Sequence, residues 1–286
     1  MMEKIHLYGV IGDPIHHSLS PFMHQLAYAE LEMSNHRYLP FHVRAERLVE
    51  AVRGMAALGI QGFNATIPHK ENLVPLMDEL DPFVQVIGAV NTVKIDPTGR
   101  MIGYNTDAYG FITNLREIFS ESLRDLDILV LGAGGAARGV LAGLLQEGAN
   151  RIVVMNRTLN RAEALVERLR VHFPDQPVTP QAWTNRLPAC RLLINTTSLG
   201  MGDDDGSVPD LRDLVADALV YDIVYAPPVT PLLAVARGRG LRVENGLGML
   251  IHQGARAFEI WTGRVMPVAK VRKGLKEQMG VVELGG

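Results

Sequence analysis

Short apolar runs and amphipathic stretches alternate along the chain, a pattern typical of strands joined by helices. In the first third of the chain, the pattern predicts strands at 5–11, 38–43 and 62–66, helices at 21–31, 46–58 and 72–80, and a hairpin with strands 89–95 and 101–103. The Asp-Pro-Thr-Gly sequence at 96–99 is typical of the turn in such a hairpin. This order predicts an α/β domain at the start of the chain.

The alternation continues to the end of the chain. It predicts a helix at 105–119, strands at 128–131, 152–155, 192–194, 219–224 and 242–243, and helices following 134 and at 161–170, 231–238 and 248–262. Buried strands alternating with helices predict a doubly wound sheet. Because the last long helix follows the completed sheet, we expect it to pack back on the first domain.

A glycine turn follows the first strand of this second sheet and opens a helix. It contains Gly132, Ala133, Gly134, Gly135 and Ala136. A strand, a glycine turn and a helix start bring bare backbone N–H groups and the positive helix end to a pyrophosphate. A tight steric turn would have the same glycines, but the flanking strand and helix favour a dinucleotide site.

The tip of the next strand indicates which dinucleotide is bound. An NAD site usually has an acid there, which binds the ribose hydroxyls. Here Asn156 takes that place, followed by Arg157, Thr158 and Arg161. Although arginines are also ordinary at a solvated helix start, two of them suit an extra ribose phosphate, so we predict NADP as the cofactor.

We therefore interpret the chain as a two-domain α/β protein. The predicted parts are an α/β substrate domain at 1–106, a doubly wound Rossmann domain that binds NADP at 107–247, and C-terminal helices at 248–286 that pack on the substrate domain. Two such domains are expected to face a cleft, where small ligands bind.

Composition narrows the partners and the compartment. The chain has 286 residues, of which 47% are hydrophobic and 21% charged, and its formal net charge is −3. These values predict a folded globule without the basic surface that nucleic acid requires. A single cysteine, Cys190, excludes an internal disulfide, the histidines lack metal-ligand spacing, and no apolar run is long enough for a signal peptide or a membrane span. We expect a cytoplasmic protein that binds no metal, nucleic acid or membrane and is a monomer or homodimer.

Polar residues at the start of the first helix form one candidate site. Ser20 stands where an N-cap belongs and Pro21 where a first helical residue belongs, so capping alone explains Ser20. It does not explain Ser18. Two hydroxyls beside a helix N-terminus would suit a substrate carboxylate.

A second candidate site lies at the end of the strand 62–66. Asn64 and Thr66 share one face of a strand that should be buried, and Lys70 follows. Unpaired buried polar groups cost about 1–3 kcal/mol each, so a ligand could be their partner. A lysine at a helix start is otherwise an ordinary surface residue.

Asn91 and Asp107 raise the same question. Asp107 could be no more than the first-turn acid of its helix, stabilised by the helix dipole. If it met Lys70, the two would form a coupled acid/base pair. Tyr225, Gly246 and Gln253 stand near the ends of late elements, where packing or capping explains them as well as ligand contact does.

Taken together, these segments resemble the shikimate dehydrogenases of aromatic amino acid biosynthesis. The matching motifs are GDPIHHSLSP at 12–21, NATIPHK at 64–70, GAVNT at 88–92, GYNTD at 103–107, GAGGA at 132–136, NRT at 156–158 and GLGMLIHQ at 246–253. They follow the family's order across nearly the whole chain. His69 and Ala65 depart from the residues frequent in the family, but neither is a proposed ligand.

The resemblance implies a reversible, NADPH-dependent reduction of 3-dehydroshikimate to shikimate. It implies that Lys70 is the general acid/base with Asp107 as its partner, and that Ser18 and Ser20 hold the substrate carboxylate. The other implied substrate contacts are Asn64, Thr66, Asn91, Tyr225 and Gln253. The implied NADP contacts are 132–136, Asn156, Arg157, Thr158, Arg161, Ile223 and Gly246.

Two alternatives stay open. A related subfamily accepts quinate and NAD, but its cofactor segment tends to have an acid near the second strand tip, where this chain has Arg157 and Thr158. A regulatory protein that kept the nucleotide site and lost catalysis is the other alternative. The intact Lys70 and Asp107 count against it.

Overall fold

Twelve strands and nine helices alternate along the part of the chain that the computed structural model describes, residues 4–201 and 208–280. The strands are β1 (His6–Gly12), β2 (His36–His42), β3 (Ile60–Ala65), β4 (Glu79–Leu80), β5 (Thr92–Ile95), β6 (Met101–Tyr104), β7 (Ile128–Leu131), β8 (Ile152–Asn156), β9 (Val178–Ala182), β10 (Leu192–Asn195), β11 (Leu219–Asp222) and β12 (Arg242–Glu244). The helices are α1 (Ser20–Glu30), α2 (Leu48–Ala57), α3 (Pro82–Ile87), α4 (Asp107–Ile118), α5 (Gly135–Gln146), α6 (Leu159–His172), α7 (Pro231–Gly238), α8 (Leu247–Thr262) and α9 (Val268–Gln278). Within these two stretches, no helix has both the length and the apolar character needed to cross a bilayer.

The chain divides into two contact units. The first unit holds the residues up to Gly110 and those from Leu250 onward, and the second holds Phe111–Met249. The C-terminal helices therefore belong to the first unit, which confirms that the chain returns to it. The chain passes from one unit to the other within α4 and again within α8. These two points lie a few residues after the boundaries predicted at 106/107 and 247/248.

The first unit is built on a mixed sheet of six strands in the order β2-β1-β3-β5-β6-β4. One face packs on α2, where Ile11, Phe63 and Val93 meet the apolar residues of that helix. The other face is aromatic: Trp261 of α8 donates its indole N–H to the carbonyl of Val93 at 2.9 Å. A Cβ on Gly62 would overlap the same indole, so glycine is required at this close approach.

The second unit is built on a sheet of six parallel strands in the order β12-β11-β10-β7-β8-β9. Its strands are fully apolar at the centre, because helices cover both faces of a doubly wound sheet. The order reverses direction between β7 and β10, and the glycine turn follows β7 at that point. Ligands bind at this position in open α/β sheets, and the doubly wound fold predicted from the sequence is confirmed.

The predicted helix at 72–80 is wrong. Only a 3-10 turn, Val74–Leu76, forms there, and the chain then runs extended along β6. Pro75 lacks an N–H, and Asp78 instead donates its N–H to the carbonyl of Met101 at 3.0 Å. The tertiary pairing therefore overrides the apolar periodicity of the segment.

Two elements were missed by the sequence prediction. Helix α3 has strong local signals, since Asp81 caps it by accepting the N–H of Phe83 at 2.9 Å and Gly88 ends it with φ of 68°. Strand β9 has only weak local signals in the sequence, because it lies at the edge of the sheet and contains Pro180.

Candidate active site and cofactor site

Lys70 and Asp107 form a largely buried ion pair in the first unit. Lys70 Nζ donates to Asp107 Oδ2 at 2.7 Å, and the side chains are 14% and 5% exposed. Asn105 Oδ1 accepts the N–H of Asp107 at 3.0 Å and so fixes the first residue of α4. The structure brings the two side chains into contact, which places an ammonium group beside a carboxylate that can orient it.

Asn91 binds the other oxygen of the same carboxylate. Its Oδ1 accepts the backbone N–H of Thr106 at 2.8 Å, which fixes the orientation of the amide because a backbone N–H only donates. The Nδ2 group therefore faces Asp107 and donates to Oδ1 at 2.8 Å. Gln253 of α8 lies alongside, with Oε1 3.5 Å from Asn91 Nδ2.

Asn64 adjoins this cluster, because its Nδ2 group donates to the carbonyl of Asn91 at 3.2 Å. Asn64 is 5% exposed and its amide is bonded within the protein, to Tyr38, Asn91 and Thr92. Thr66 follows β3 and is half-buried, with its N–H bound to the carbonyl of Ile11 at 3.0 Å. The side chain of Asn64 therefore has its hydrogen bonds satisfied within the protein. For Thr66, the structure shows a hydrogen bond from the backbone N–H.

The expectation that Ser20 is an N-cap is wrong. Helix α1 begins at Ser20 itself, Leu19 takes the cap position, and no side chain caps the helix. Ser18 Oγ instead accepts the N–H of Ser20, the first residue of the helix, at 3.3 Å. Ser18 is half-buried and Ser20 is 6% exposed, so both hydroxyls stand at the start of α1.

In the second unit, the glycine turn opens α5 without a side-chain cap. Gly132 has φ of 107°, and Gly134 takes the cap position with an extended backbone. A Cβ on Gly134 would meet nothing within 4 Å, so the space beside it is open. The backbone N–H groups of the first turn of α5 therefore fit a pyrophosphate.

The tip of β8 carries the residues predicted for the adenosine phosphate. Asn156 ends the strand and donates its amide to the carbonyl of Thr158 at 2.8 Å, which shapes the turn into α6. Arg157, Thr158 and Arg161 are exposed there. Two guanidinium groups beside an uncapped helix start give a positive surface that suits a phosphate.

Ile223 and Gly246 lie side by side after β11 and β12. Gly246 donates its N–H to the carbonyl of Val224 at 3.1 Å, and a Cβ on it would overlap the carbonyl of Ile223. Tyr225 follows in the same loop and is half-buried. Glycine at 246 is thus required by the close approach of two backbone segments.

Asp222 organises this loop, and the sequence prediction missed its role. The carboxylate is fully buried and accepts from Asn195 Nδ2 at 2.9 Å, Thr230 Oγ1 at 2.7 Å and the N–H of Val224 at 3.1 Å. Burial raises the pKa of Asp222 to about 6, and the three hydrogen bonds oppose that shift. The signal in the sequence was an acid at the end of a fully apolar strand.

Comparison with known proteins assigns the chain to a family. Three family models match in chain order: the shikimate dehydrogenase substrate binding domain at residues 10–93, the shikimate / quinate 5-dehydrogenase at 114–198 and the shikimate 5'-dehydrogenase C-terminal domain at 246–276. An NADP(+) shikimate dehydrogenase of Magnetococcus marinus is 49% identical over 274 residues, which covers 95% of this chain and 96% of that protein. The chain belongs to the shikimate dehydrogenase family.

Solved structures of the family have the same fold. The shikimate 5-dehydrogenase of Thermus thermophilus, in complex with NADP(H) and shikimate, gives a TM-score of 0.83 at 34% identity, over 96% of this chain and 99% of that one. The quinate dehydrogenase of Corynebacterium glutamicum, in complex with NAD, gives 0.84 at 30% identity, over 96% of this chain and 100% of that one. Shikimate dehydrogenases and a quinate dehydrogenase thus share this architecture.

The family match covers the candidate residues unevenly. The range matched by the shikimate dehydrogenase substrate binding domain includes Ser18, Asn64, Lys70 and Asn91. Asp107 lies outside all three matched ranges, as do Ile223 and Tyr225. Asp107 is supported instead by its contacts with Lys70 and Asn91 in the structure.

Proposed function

We propose that this chain catalyses the reversible reduction of 3-dehydroshikimate to shikimate with NADPH. This is the step of the shikimate pathway that leads toward chorismate and the aromatic amino acids. The observation that carries the proposal is the buried pair of Lys70 and Asp107, 2.7 Å apart, in a chain of the shikimate dehydrogenase family. The chain is therefore an NADP-dependent oxidoreductase.

Lys70 is the proton donor and acceptor of the reaction. During reduction, Nζ gives a proton to the oxygen of the reacting carbonyl, which becomes a hydroxyl, and during oxidation Nζ takes that proton back. Asp107 holds Nζ through its 2.7 Å contact and keeps the ammonium group in place. NADP, when bound, accepts or supplies the hydride at the same carbon.

The remaining polar groups of the first unit bind the substrate. Ser18 and Ser20 would take the carboxylate at the start of α1, and Thr66, Asn91 and Gln253 would bind the ring hydroxyls. Asn64 stays a predicted contact, although its amide already has protein partners. Tyr225, in the second unit, also stays a prediction from the family resemblance.

The second unit holds the cofactor. The N–H groups at 132–136 would bind the pyrophosphate, while Asn156, Arg157, Thr158 and Arg161 would bind the adenosine phosphate. Ile223 and Gly246 would adjoin the nicotinamide end. The start of α5, with open space beside Gly134, supports this assignment because Gly134 takes the cap position and has no side chain to satisfy the helix end.

An assay of NADPH formation from shikimate by the purified protein tests the proposal. Initial rates with NADP and NAD, each against shikimate and quinate, separate it from the quinate/shikimate alternative. We expect NADP with shikimate to give the highest kcat/KM, because Arg157 stands where NAD-specific sites have an acid. Comparable rates with NAD and quinate would instead assign the chain to that subfamily, and absence of turnover would favour a regulatory role. The cytoplasmic location and the monomeric or homodimeric state stay predictions.

A further inference from the structure

Beyond the ion pair, a row of buried polar groups runs across the sheet of the first unit and ends at Asp107. Tyr38 of β2 donates its hydroxyl to Asn64 Oδ1 at 2.7 Å, and Asn64 Nδ2 donates to Thr92 Oγ1 at 2.9 Å. Thr92 and Asn64 stand opposite each other on antiparallel strands. Tyr38 is 1% exposed and Thr92 is 0% exposed, so water does not compete for these bonds.

The direction of each hydrogen bond in this row is determined by groups that can only accept or only donate. Asn64 Nδ2 also lies 3.2 Å from the carbonyl of Asn91, and because a carbonyl only accepts, the amide nitrogen must be on that side. Asn64 Oδ1 therefore faces Tyr38 as an acceptor. The Tyr38 hydroxyl has to be the donor.

The same reasoning continues through Thr92. Its hydroxyl accepts from Asn64, so its own hydrogen is free for Asn91 Oδ1 at 3.0 Å, with Thr106 Oγ1 at 3.2 Å as the neighbouring oxygen. Asn91 in turn donates to Asp107 Oδ1 at 2.8 Å. Donation thus runs in one direction, from Tyr38 to the carboxylate, and bonds arranged in this way polarise one another.

The phenol of Tyr38 is itself held in place. The ring of His24, from α1, stacks on it with centroids 4.1 Å apart and an angle of 6° between the planes. Burial lowers the pKa of His24 to about 3, so this ring is neutral at working pH. The stacked ring restrains the phenol without adding a charge to the row.

We propose that Tyr38 is a positioning residue for the dehydrogenase reaction. It acts through Asn64, Thr92 and Asn91 to fix the orientation of the Asp107 carboxylate, and thereby of Lys70. This inference rests on the proposed function, because it assigns Tyr38 to the proton transfer that Lys70 performs. It goes beyond that function because Asn64, Thr92 and Asn91 stand between Tyr38 and Asp107 in the row.

Tyr38→Phe tests this role, since it removes one oxygen and keeps the stacked ring. Loss of a buried hydrogen bond of about 1 kcal/mol predicts a fall in kcat of about fivefold. The KM for shikimate should change by less than about twofold, because the groups proposed to touch substrate are retained. With shikimate carrying deuterium at the reacting carbon, the isotope effect on kcat should rise as the chemical step becomes slower.

Tyr28→Phe is the matched control. Tyr28 is 2% exposed, its ring lies 6.2 Å from that of the same His24, and its hydroxyl has no hydrogen-bond partner among residues 4–201 and 208–280. It therefore takes part in the aromatic packing but not in the row of donors. We expect its kcat and isotope effect to match those of the parent protein.

A second pair of variants keeps the test independent of how Tyr38→Phe folds. Thr92→Val removes the hydroxyl in the middle of the row and should lower kcat as Tyr38→Phe does, whereas Thr92→Ser keeps the hydroxyl and should restore most of it. Thermal denaturation of each variant identifies the folded ones. Two results would overturn the role of the row: a folded Tyr38→Phe variant whose kcat equals that of Tyr28→Phe, or a Thr92→Val variant as active as Thr92→Ser. Either result would leave the proposed dehydrogenase function intact. A parent protein without turnover would overturn the proposed function and this role together.

Discussion

At the scale of single residues, each oxygen of the Asp107 carboxylate has its own donor. Lys70 binds Oδ2 and Asn91 binds Oδ1, so the carboxylate is restrained from both sides. A lysine held in this way has lost most of the rotamer freedom that a surface lysine keeps. The restraint positions Nζ before substrate arrives, which is the condition under which a proton donor contributes most to catalysis.

Lys70→Ala removes the proposed proton donor while leaving the proposed substrate contacts in place. General acid/base groups contribute about 10²- to 10⁴-fold, so we expect kcat to fall by that order. Calorimetry should show shikimate binding at close to the parent affinity. Lys270→Ala is the control, because Lys270 pairs with Glu30 on the exposed surface of α9. A Lys70→Ala protein with near-normal turnover would remove Lys70 from the reaction.

Arg157→Ala tests the basis of cofactor choice. Arg157 is exposed at the tip of β8, where a guanidinium would bind the additional phosphate of NADP as a charge-assisted pair. Loss of such a contact, worth about 1.5–3 kcal/mol, predicts a rise in the KM for NADP of about ten- to a hundredfold. The KM for NAD should hardly change.

The matched control for this measurement is Arg170→Ala. Arg170 lies at the far end of α6 from the strand tip and pairs with Glu167 at 2.8 Å. Its loss removes the same charge from the same helix without touching the candidate phosphate site. Equal changes of KM for NADP and NAD in Arg157→Ala would show that this side chain does not meet the extra phosphate.

At the scale of elements, the glycines of the turn between β7 and α5 have different tasks. Gly132 has φ of 107°, and a Cβ on it would lie 2.6 Å from Thr196 Oγ1. Gly134 is extended and has open space around its Cα hydrogens. The first glycine is therefore required by the fold, whereas the second leaves room for a ligand to approach the backbone.

Two alanine variants separate these tasks. Gly134→Ala should change the free energy of unfolding by less than about 0.5 kcal/mol, because its Cβ would have no atom of the described residues within 4 Å. It should raise the KM for NADP, since the new methyl group enters the space proposed for the pyrophosphate. Gly132→Ala should lower the free energy of unfolding by about 1–3 kcal/mol through backbone strain and overlap. If Gly134→Ala bound NADP as the parent does, the pyrophosphate would have to lie elsewhere.

Most elements with local signals were predicted from sequence, although α3, which also has them, was missed. The hairpin of β5 and β6 forms around the predicted turn, where Asp96 Oδ1 accepts the N–H of Thr98 at 2.8 Å and Gly99 has φ of 87°. The segment 72–80 failed because its structure depends on pairing with β6, more than twenty residues later. Local periodicity cannot report such a pairing.

The same division applies to the candidate sites. Lys70 and Asp107 were predictable because each lies in a polar motif at the end of an element. The role of Tyr38 could not be predicted, because its sequence context is that of an ordinary inward-facing strand residue. Its partner Asn64 lies on β3, with β1 between the two strands. The buried network of Asp222 was missed for a similar reason, because Asn195 becomes its partner only when β10 and β11 pair.

At the scale of the whole molecule, Asp222 links the free energy of unfolding to pH. Its ordinary pKa is 3.8, and burial raises the folded-state pKa to about 6. Below pH 3.8 both states are protonated, so the carboxyl has no effect on stability. Between the two values the folded state keeps a proton that the unfolded chain has released, and stability therefore falls as pH rises. Above pH 6 the cost of the buried carboxylate is complete, about 3 kcal/mol for a shift of this size.

Asp222→Asn should remove this dependence, because a neutral amide of the same shape places a donor toward Thr230, as the protonated acid does. Denaturant unfolding at a series of pH values should show the parent losing about 3 kcal/mol relative to Asp222→Asn between pH 3 and pH 7. Asp213→Asn provides a control of opposite sign. The hydrogen bond from Arg186 lowers the pKa of Asp213. The free energy of unfolding of the parent should therefore fall relative to that of Asp213→Asn as pH falls. A difference between parent and Asp222→Asn that stays constant over this pH range would mean that the buried carboxylate is already stabilised as an anion by its three donors.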